Sequence, residues 1–146
     1  MAIAESKSIT ENNKAIAQRL IDEFWNKGKA ELAATLAAPE FERIELFSET
    51  SNHGPEGLKA AAAGWRGAFP DAHLTIDQII AEDDKVACEW TFTGTHKGEL
   101  NGTPPTGKTV KVTGLSIIDF ADGKMTKEIV AADMLGLMKQ LGVFSA

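Results

Sequence analysis

The chain has 146 residues, of which 43% are hydrophobic and 25% charged, and its net charge is −6 at pH 7. This composition predicts one globular domain over residues 1–146, with an N-terminal tail of about residues 1–8. The acidic balance argues against a nucleic-acid partner, and no apolar run reaches the length of a membrane span. Without a signal-like apolar segment, and with the single cysteine Cys88, the chain is expected to be cytoplasmic.

The N-terminal part of the sequence predicts two helices. Ser8 and Glu11 match a capping box, in which the two side chains satisfy free amides at a helix start. Apolar residues then recur at helical spacing as far as Trp25, and Gly28 is expected to end this helix. A second, shorter helix is predicted over Lys29–Leu36.

A strand, a third helix and a second strand are predicted next. Residues Glu40–Glu49 alternate with neither face purely apolar, which indicates a strand in a mixed environment. Pro55 is placed near the first position of the third helix. In the strand Ala72–Ala81, the parity of the apolar residues changes between Ile76 and Ile79, which predicts a bulge.

The strand that begins at Lys85 has the clearest alternation in the chain. Its inward face is predicted to carry Val86, Cys88, Trp90 and Phe92. The same parity continues to Gly94 and His96, so an imidazole ends an apolar row, which suggests the mouth of a pocket. The alternative is an ordinary strand end with His96 in solvent.

The C-terminal part predicts a hairpin and a helix. Strands Thr109–Phe120 and Lys124–Asp133 are separated by the hairpin turn Asp122-Gly123, and the helix Met134–Leu141 follows. The apolar set of the first strand also shifts parity, which indicates another bulge. Bulged strands curve, so the predicted fold is α+β: N-terminal helices on a curved, mostly antiparallel sheet that leaves a cavity.

Asp133 is the most informative polar residue in this pattern. Counting from Ile129 places it on the inward, apolar face of the last strand, where burial would raise its pKa and suit it to acid/base chemistry near neutral pH. The alternative is a structural role, because an aspartate directly before Met134 can cap the final helix.

The order of several short motifs resembles the SnoaL-like polyketide cyclase family of the NTF2-like group. The resemblance runs from about Trp25 to Gly142 and rests on Ala68-Phe69-Pro70-Asp71, Gly94-Thr95-His96, Gly102-Thr103-Pro104-Pro105-Thr106-Gly107, Asp122-Gly123-Lys124, and Asp133 ahead of Gln140-Leu141-Gly142. It implies a cone-shaped fold and a role for Asp133 as the general acid/base of an intramolecular aldol ring closure without metal or cofactor. The chain departs from the family at Glu128 and Ile129, where many members carry histidine and tryptophan.

These observations predict a cofactor-independent enzyme that cyclises or isomerises a small carbonyl compound, with Asp133 and His96 as catalytic residues. The three histidines are scattered, so no metal site is expected. The predicted ligand is hydrophobic or polyketide-like, and the substrate-binding candidates are His53, Trp25, Trp65, Trp90, Phe92 and Ile129. For Trp25, which lies on the apolar stripe of the first helix, plain core packing is the alternative, and the orientation of His53 is left open. The chain is expected to form a homodimer or homotetramer through the exposed sheet face. The alternative function is a non-catalytic binding protein that keeps the cavity.

Overall fold

The computed structural model describes residues 2–48 and 50–143 and confirms the predicted α+β fold. Its helices are α1 (Ala2–Arg19), a π-helix (Leu20–Trp25), a 3₁₀ helix (Ala30–Leu32), α2 (Ala33–Leu36), α3 (Gly54–Ala68) and α4 (Met134–Leu141). Its strands are β1 (Ala37–Glu45), β2 (Thr50–His53), β3 (His73–Glu82), β4 (Lys85–Thr95), β5 (Thr109–Ala121) and β6 (Lys124–Ala132). None of the described helices combines the length and the apolar character that a membrane span requires.

Helix α1 begins at Ala2, well before the predicted start at Ser8, so the described part of the expected tail is helical. Residues 2–7 contain no glycine or proline, and nothing in their sequence stops the helix from extending past the capping box. The π-helix that follows is held at its end by Asn26. The side-chain amide of Asn26 donates to the carbonyl oxygen of Leu74 at 2.8 Å and accepts from its N–H at 2.7 Å. This contact fixes the neighbouring Trp25 against the sheet.

The six strands form one sheet in the order β2-β1-β6-β5-β4-β3. All neighbouring strands are antiparallel except β1 and β6, which are parallel, so the prediction of a mostly antiparallel sheet is confirmed. Strand β1 ends at Glu45, earlier than predicted, and Glu49 lies outside the described residues. The parallel pairing places Arg43 directly beside Glu128, although the two residues are far apart in sequence.

Irregular pairing interrupts three strand pairs, β1 with β6, β3 with β4, and β5 with β6. The register shift between Ile76 and Gln78 confirms the bulge predicted in β3. The parity change predicted in β5 is wrong, because that strand alternates without interruption and its exposed Leu115 lies on the outer face. A shift occurs instead where β5 pairs with β6, and there β6 contains the extra residue Thr126.

The bulge at Thr126 decides which residues of β6 face the interior. A strand reverses its two faces after one extra residue. Glu128, Val130 and Ala132 therefore face a cavity, whereas Ala131 is exposed on the outer face. The alternation that places Ile129 inward therefore predicted the wrong face for this part of the strand.

Two clusters of buried side chains lie on either side of this cavity. The first is centred on Phe24, Phe41 and Met125, and Trp25 packs against it. The second joins Phe69 of the segment after α3 to strands β4 and β5 and to α4, and its members include Phe92, Val110, Leu137 and Leu141. The cavity is lined by residues from both regions and thus lies within the concave side of the sheet.

Candidate active site

Five aromatic side chains contribute to the wall of the interior cavity. Trp25 reaches it from the π-helix, Trp65 from α3, and Trp90 and Phe92 from β4. The ring of Trp65 lies edge-on to that of Phe92, with centroids 5.8 Å apart. The cavity volume is about 60 Å³, enough for a few water molecules. A fused-ring ligand therefore requires side chains at the cavity to move.

Trp90 lies flat across the floor of the cavity because its cross-strand partner is Gly114. A Cβ atom at position 114 would stand 2.3 Å from two atoms of the six-membered ring of the indole. The absence of that atom lets the indole N–H donate to the hydroxyl oxygen of Ser116 at 3.0 Å. Ser116 in turn hydrogen-bonds Glu128. Since the hydroxyl oxygen already accepts from Trp90, its own hydrogen is directed to the carboxyl group.

Three charged side chains are buried beside these aromatic rings. Arg43 and Glu128 line the cavity, and Glu45 follows Arg43 on the same face of β1. The Arg43 guanidinium donates from Nη1 to Glu45 Oε1 and lies 5.6 Å from the centre of the Trp25 ring. Its Nε is 3.3 Å from Glu128 Oε1, yet neither of these two atoms has an aligned hydrogen-bond partner among the described residues. One cation thus lies between two carboxylates.

Glu128 is a buried carboxyl group whose pKa is shifted by its surroundings. Burial raises its pKa above the ordinary value, because the charged form has lost its water, and the nearby Glu45 carboxylate adds to this rise. The charge of Arg43, the hydrogen bond from Ser116 and the close polar contact with Arg43 oppose this rise without cancelling it. The Cys88 thiol on β4 is also affected, and burial raises its pKa to about 11, so it stays neutral near pH 7. The raised pKa makes Glu128 better suited than an ordinary glutamate to exchange a proton with a substrate.

Asp133 lies outside the cavity, so its predicted inward orientation is wrong. Its side chain is exposed, and its Oδ1 accepts the N–H of Gly136 at 2.8 Å as the N-cap of α4. The reason is the bulge at Thr126, which turns Asp133 to the face opposite Glu128. The geometry favours the helix-capping alternative, and catalysis by Asp133 stays a prediction.

His96 is fully buried, but it packs behind Phe69 and does not line the cavity. Its Nδ1 accepts the backbone N–H of Thr106 at 3.2 Å, so in the neutral ring the proton resides on Nε2. Nε2 has no hydrogen-bond partner among the residues that the structure describes. Through the hydrogen bond at Nδ1, His96 holds the backbone at Thr106 beside the end of β4. His96 does not line the cavity that contains Glu128, and its catalytic role stays a prediction.

Two other predicted ligand contacts lie away from the cavity. His53 is exposed on the edge strand β2, where its Nε2 is 3.2 Å from the hydroxyl of Ser51. Ile129 lies on the outer face of β6, between Ile44 and Ile117 of the neighbouring strands. Four of the six predicted contacts, the aromatic ones, do meet at the cavity, and their role in binding stays a prediction.

Four residues of the site were not predicted from the sequence: Arg43, Glu45, Ser116 and Glu128. A signal for two of them was present, because Arg43 and Glu45 share a face of the predicted strand with Phe41 and Phe47. Charged residues that alternate with aromatic ones indicate a polar site in an apolar wall. For Glu128 no such signal existed, since its face depends on the bulge. Within residues 2–48 and 50–143, no three histidine, cysteine, aspartate or glutamate side chains are grouped so as to hold a metal ion.

Comparison with known proteins agrees with the fold. The sequence model of the SnoaL-like polyketide cyclases matches residues 15–141. The chain belongs to the SnoaL-like polyketide cyclase family. It is 29% identical over 128 residues to the aklanonic acid methyl ester cyclase AcmA of Streptomyces galilaeus, covering 86% of this chain and 88% of that protein.

Solved structures of similar proteins have the same architecture. A structure from Jannaschia sp. CCS1, described as SnoaL-like, superposes with a TM-score of 0.86 at 26% identity, covering 94% of this chain and 96% of the other. TsrD from Streptomyces laurentii superposes with a TM-score of 0.79 at 28% identity, covering 90% and 98%. This chain therefore has the NTF2-like fold that the family resemblance implied.

Proposed function

We propose that this protein is a cofactor-independent cyclase that closes a ring in a small polyketide-like carbonyl compound, with Glu128 as its general acid/base. The observation that carries the proposal is a buried carboxyl group with a raised pKa, held beside Arg43 in an aromatic cavity. Membership of the family and the likeness to a methyl ester cyclase support the reaction type. Glu128 stands at the position where the family resemblance leads one to expect histidine, so a carboxyl group is present where many members have an imidazole.

The site suits an aldol-type reaction in which Glu128 removes one proton from the substrate and later returns it to the product. The Glu128 carboxylate removes a proton from the carbon next to a carbonyl group, and the electron pair of that C–H bond forms an enolate. The enolate carbon attacks a second carbonyl carbon of the same molecule and forms the new C–C bond. The resulting alkoxide takes the proton back from Glu128, so the reaction is balanced without oxidant or reductant.

Arg43 is suited to stabilise the oxygen that gains negative charge in this reaction. A guanidinium has five N–H donors, and the hydrogen bond found for it in the described residues uses one, to Glu45. Arg43 lines the cavity and its side chain is only 7% exposed, and in such a buried setting a charge-assisted hydrogen bond is strong. The flat rings of Trp25, Trp65 and Trp90 would hold a planar ligand by stacking.

The test compares two isosteric changes, Glu128→Gln and Asp133→Asn, with a polyketide ester or diketone as substrate. We expect Glu128→Gln to reduce kcat by roughly 10²-fold or more, since it removes the titrating proton and keeps the shape. Asp133→Asn should leave kcat near the wild-type value, because asparagine also caps helices. The opposite pattern would return the acid/base role to Asp133.

The second candidate function is a non-catalytic small-molecule binding protein. It is favoured by the position of Asp133, the aspartate that the family resemblance assigns to catalysis, which is exposed as a helix cap. A binding protein should retain a ligand in the cavity and release it unchanged. Product analysis after prolonged incubation of a bound diketone separates the two functions.

A further inference from the structure

We propose that Glu45 is a positioning residue for this site: it holds the charge of Arg43 and so leaves Glu128 free to exchange a proton. The proposal rests on the proposed function for its effect on turnover. Its effect on the protonation of Glu128 does not depend on any reaction and can be measured separately.

The geometry shows that Arg43 is bonded to Glu45 in preference to Glu128. Nη1 of Arg43 donates to Glu45 Oε1, and the second carboxylate oxygen of Glu45 accepts the hydroxyl of Ser48 at 3.2 Å. Glu45 therefore has donors on both oxygens, which suits its ionised form. Towards Glu128, the Nε of Arg43 lies 3.3 Å from Oε1 without the alignment of a hydrogen bond.

Because Arg43, Glu45 and Glu128 are buried, the electrostatic interactions among them are strong. The side chains of Arg43, Glu45 and Glu128 are only 7%, 11% and 6% exposed, so water screens their interactions weakly. A single cation cannot neutralise two ionised carboxylates in such surroundings. Because Glu45 has the direct hydrogen bond, Glu128 is the group for which the neutral form is favoured.

The titratable groups that act on Glu128 come from two strands. Arg43 and Glu45 lie on β1, and the Cys88 thiol lies on β4 and is neutral near pH 7. Replacing Glu45 by glutamine removes the carboxylate charge beside Arg43 and leaves the charge of Arg43 unopposed there. Both consequences favour the ionised form of Glu128, so its pKa should fall.

The experiment measures the titration of Glu128 directly in the full-length protein. Carboxyl carbons of glutamate are labelled with ¹³C, and the Glu128 signal is assigned by its loss in Glu128→Gln. In Glu45→Gln we expect the titration midpoint of Glu128 to move to lower pH. The matched control is Glu42→Gln, which removes the same charge from the opposite face of β1, where Glu42 bonds Ser51. An unchanged midpoint in Glu45→Gln, or an equal shift in Glu42→Gln, overturns the proposal.

A second variant separates loss of charge from loss of packing. Glu45→Asp keeps the charge on a shorter side chain, and its midpoint should stay closer to that of the wild type than that of Glu45→Gln. If Glu45→Gln does not fold, a wild-type midpoint in Glu45→Asp supports the proposal, and a midpoint as low as that of free glutamate contradicts it.

Turnover provides the readout that connects Glu45 to the reaction. With Glu128 as the base, the ascending limb of kcat/KM against pH should move to lower pH in Glu45→Gln, and the plateau should fall several-fold because a weaker base removes the proton more slowly. A shifted NMR midpoint with an unshifted rate profile would refute the proposed role of Glu128 in catalysis while the effect of Glu45 on its protonation stands.

Discussion

Replacing Gly114 by alanine tests whether the Trp90 ring lies against residue 114 at the floor of the cavity. The new Cβ would lie 2.3 Å from atoms of the Trp90 six-membered ring, well inside any real contact of such atoms, so the ring must move by about 1 Å or more. Overpacking of this size costs about 1 to 3 kcal/mol, and losing the bond from the indole to Ser116 adds about 1 kcal/mol. The expected loss of stability is about 2 to 4 kcal/mol.

This loss can be measured as a fall in Tm followed by circular dichroism. For a domain of this size 1 kcal/mol corresponds to about 3 °C, so Gly114→Ala should melt about 6 to 12 °C below the wild type. The double variant Gly114→Ala, Trp90→Leu should recover part of the difference, since the clashing ring atoms are gone. The matched control is Gly64→Ala in α3, where the added Cβ meets nothing within 4 Å.

The control should stabilise the protein slightly, because alanine favours a helix over glycine by about 0.5 to 1 kcal/mol. A Tm for Gly114→Ala within about 2 °C of the wild type would show that Trp90 does not lie against residue 114. A loss as large in Gly64→Ala would show that added methyl groups are not tolerated for a reason unrelated to Trp90.

Three further predictions concern the helix cap Asp133, the buried Glu128 and the outer face of the sheet. Asp133→Ala should lose about 1 kcal/mol in denaturant unfolding, and Asp133→Asn much less, because both oxygen-bearing side chains can cap the N–H of Gly136. The pKa of Glu128 is raised on folding, so the folded state binds more protons above the ordinary glutamate pKa and stability should fall as the pH rises through that window. The Tm of the wild type should therefore fall with pH relative to that of Glu128→Gln. Light scattering should show a homo-oligomer, since Ile80 and Ile117 are 63% and 48% exposed in one cross-strand row on the outer face, and Ile117→Lys should weaken it.

Each of these three has a result that contradicts it. Equal stability of the alanine and asparagine variants at position 133 would exclude a capping role. Parallel pH curves for the wild type and Glu128→Gln would mean that Glu128 titrates alike in the folded and unfolded states. A scattering mass equal to the 15.6 kDa of one chain would show that the outer face is not used between subunits at the concentration measured.

Local sequence signals were enough to predict most elements of this fold. The alternation from Val86 to Phe92 predicted β4, the hairpin Asp122-Gly123 separates β5 from β6, and α4 has the predicted bounds Met134–Leu141. The aromatic wall of the cavity was predictable for the same reason: the parity of one uninterrupted strand places Trp90 and Phe92 on one face. These properties depend on residues that are close together in the chain.

The charged centre of the cavity was decided by tertiary structure. Arg43 and Glu128 become neighbours only because β1 pairs in parallel with β6, and no local pattern indicates that pairing. Glu128 faces inward, and Asp133 outward, only because one extra residue at Thr126 reverses the faces of β6. A strand has a period of two, so a single inserted residue exchanges its buried and exposed sets. The burial that raises the pKa of Glu128 is likewise produced by side chains from distant parts of the chain, which meet only when the sheet curves around the cavity.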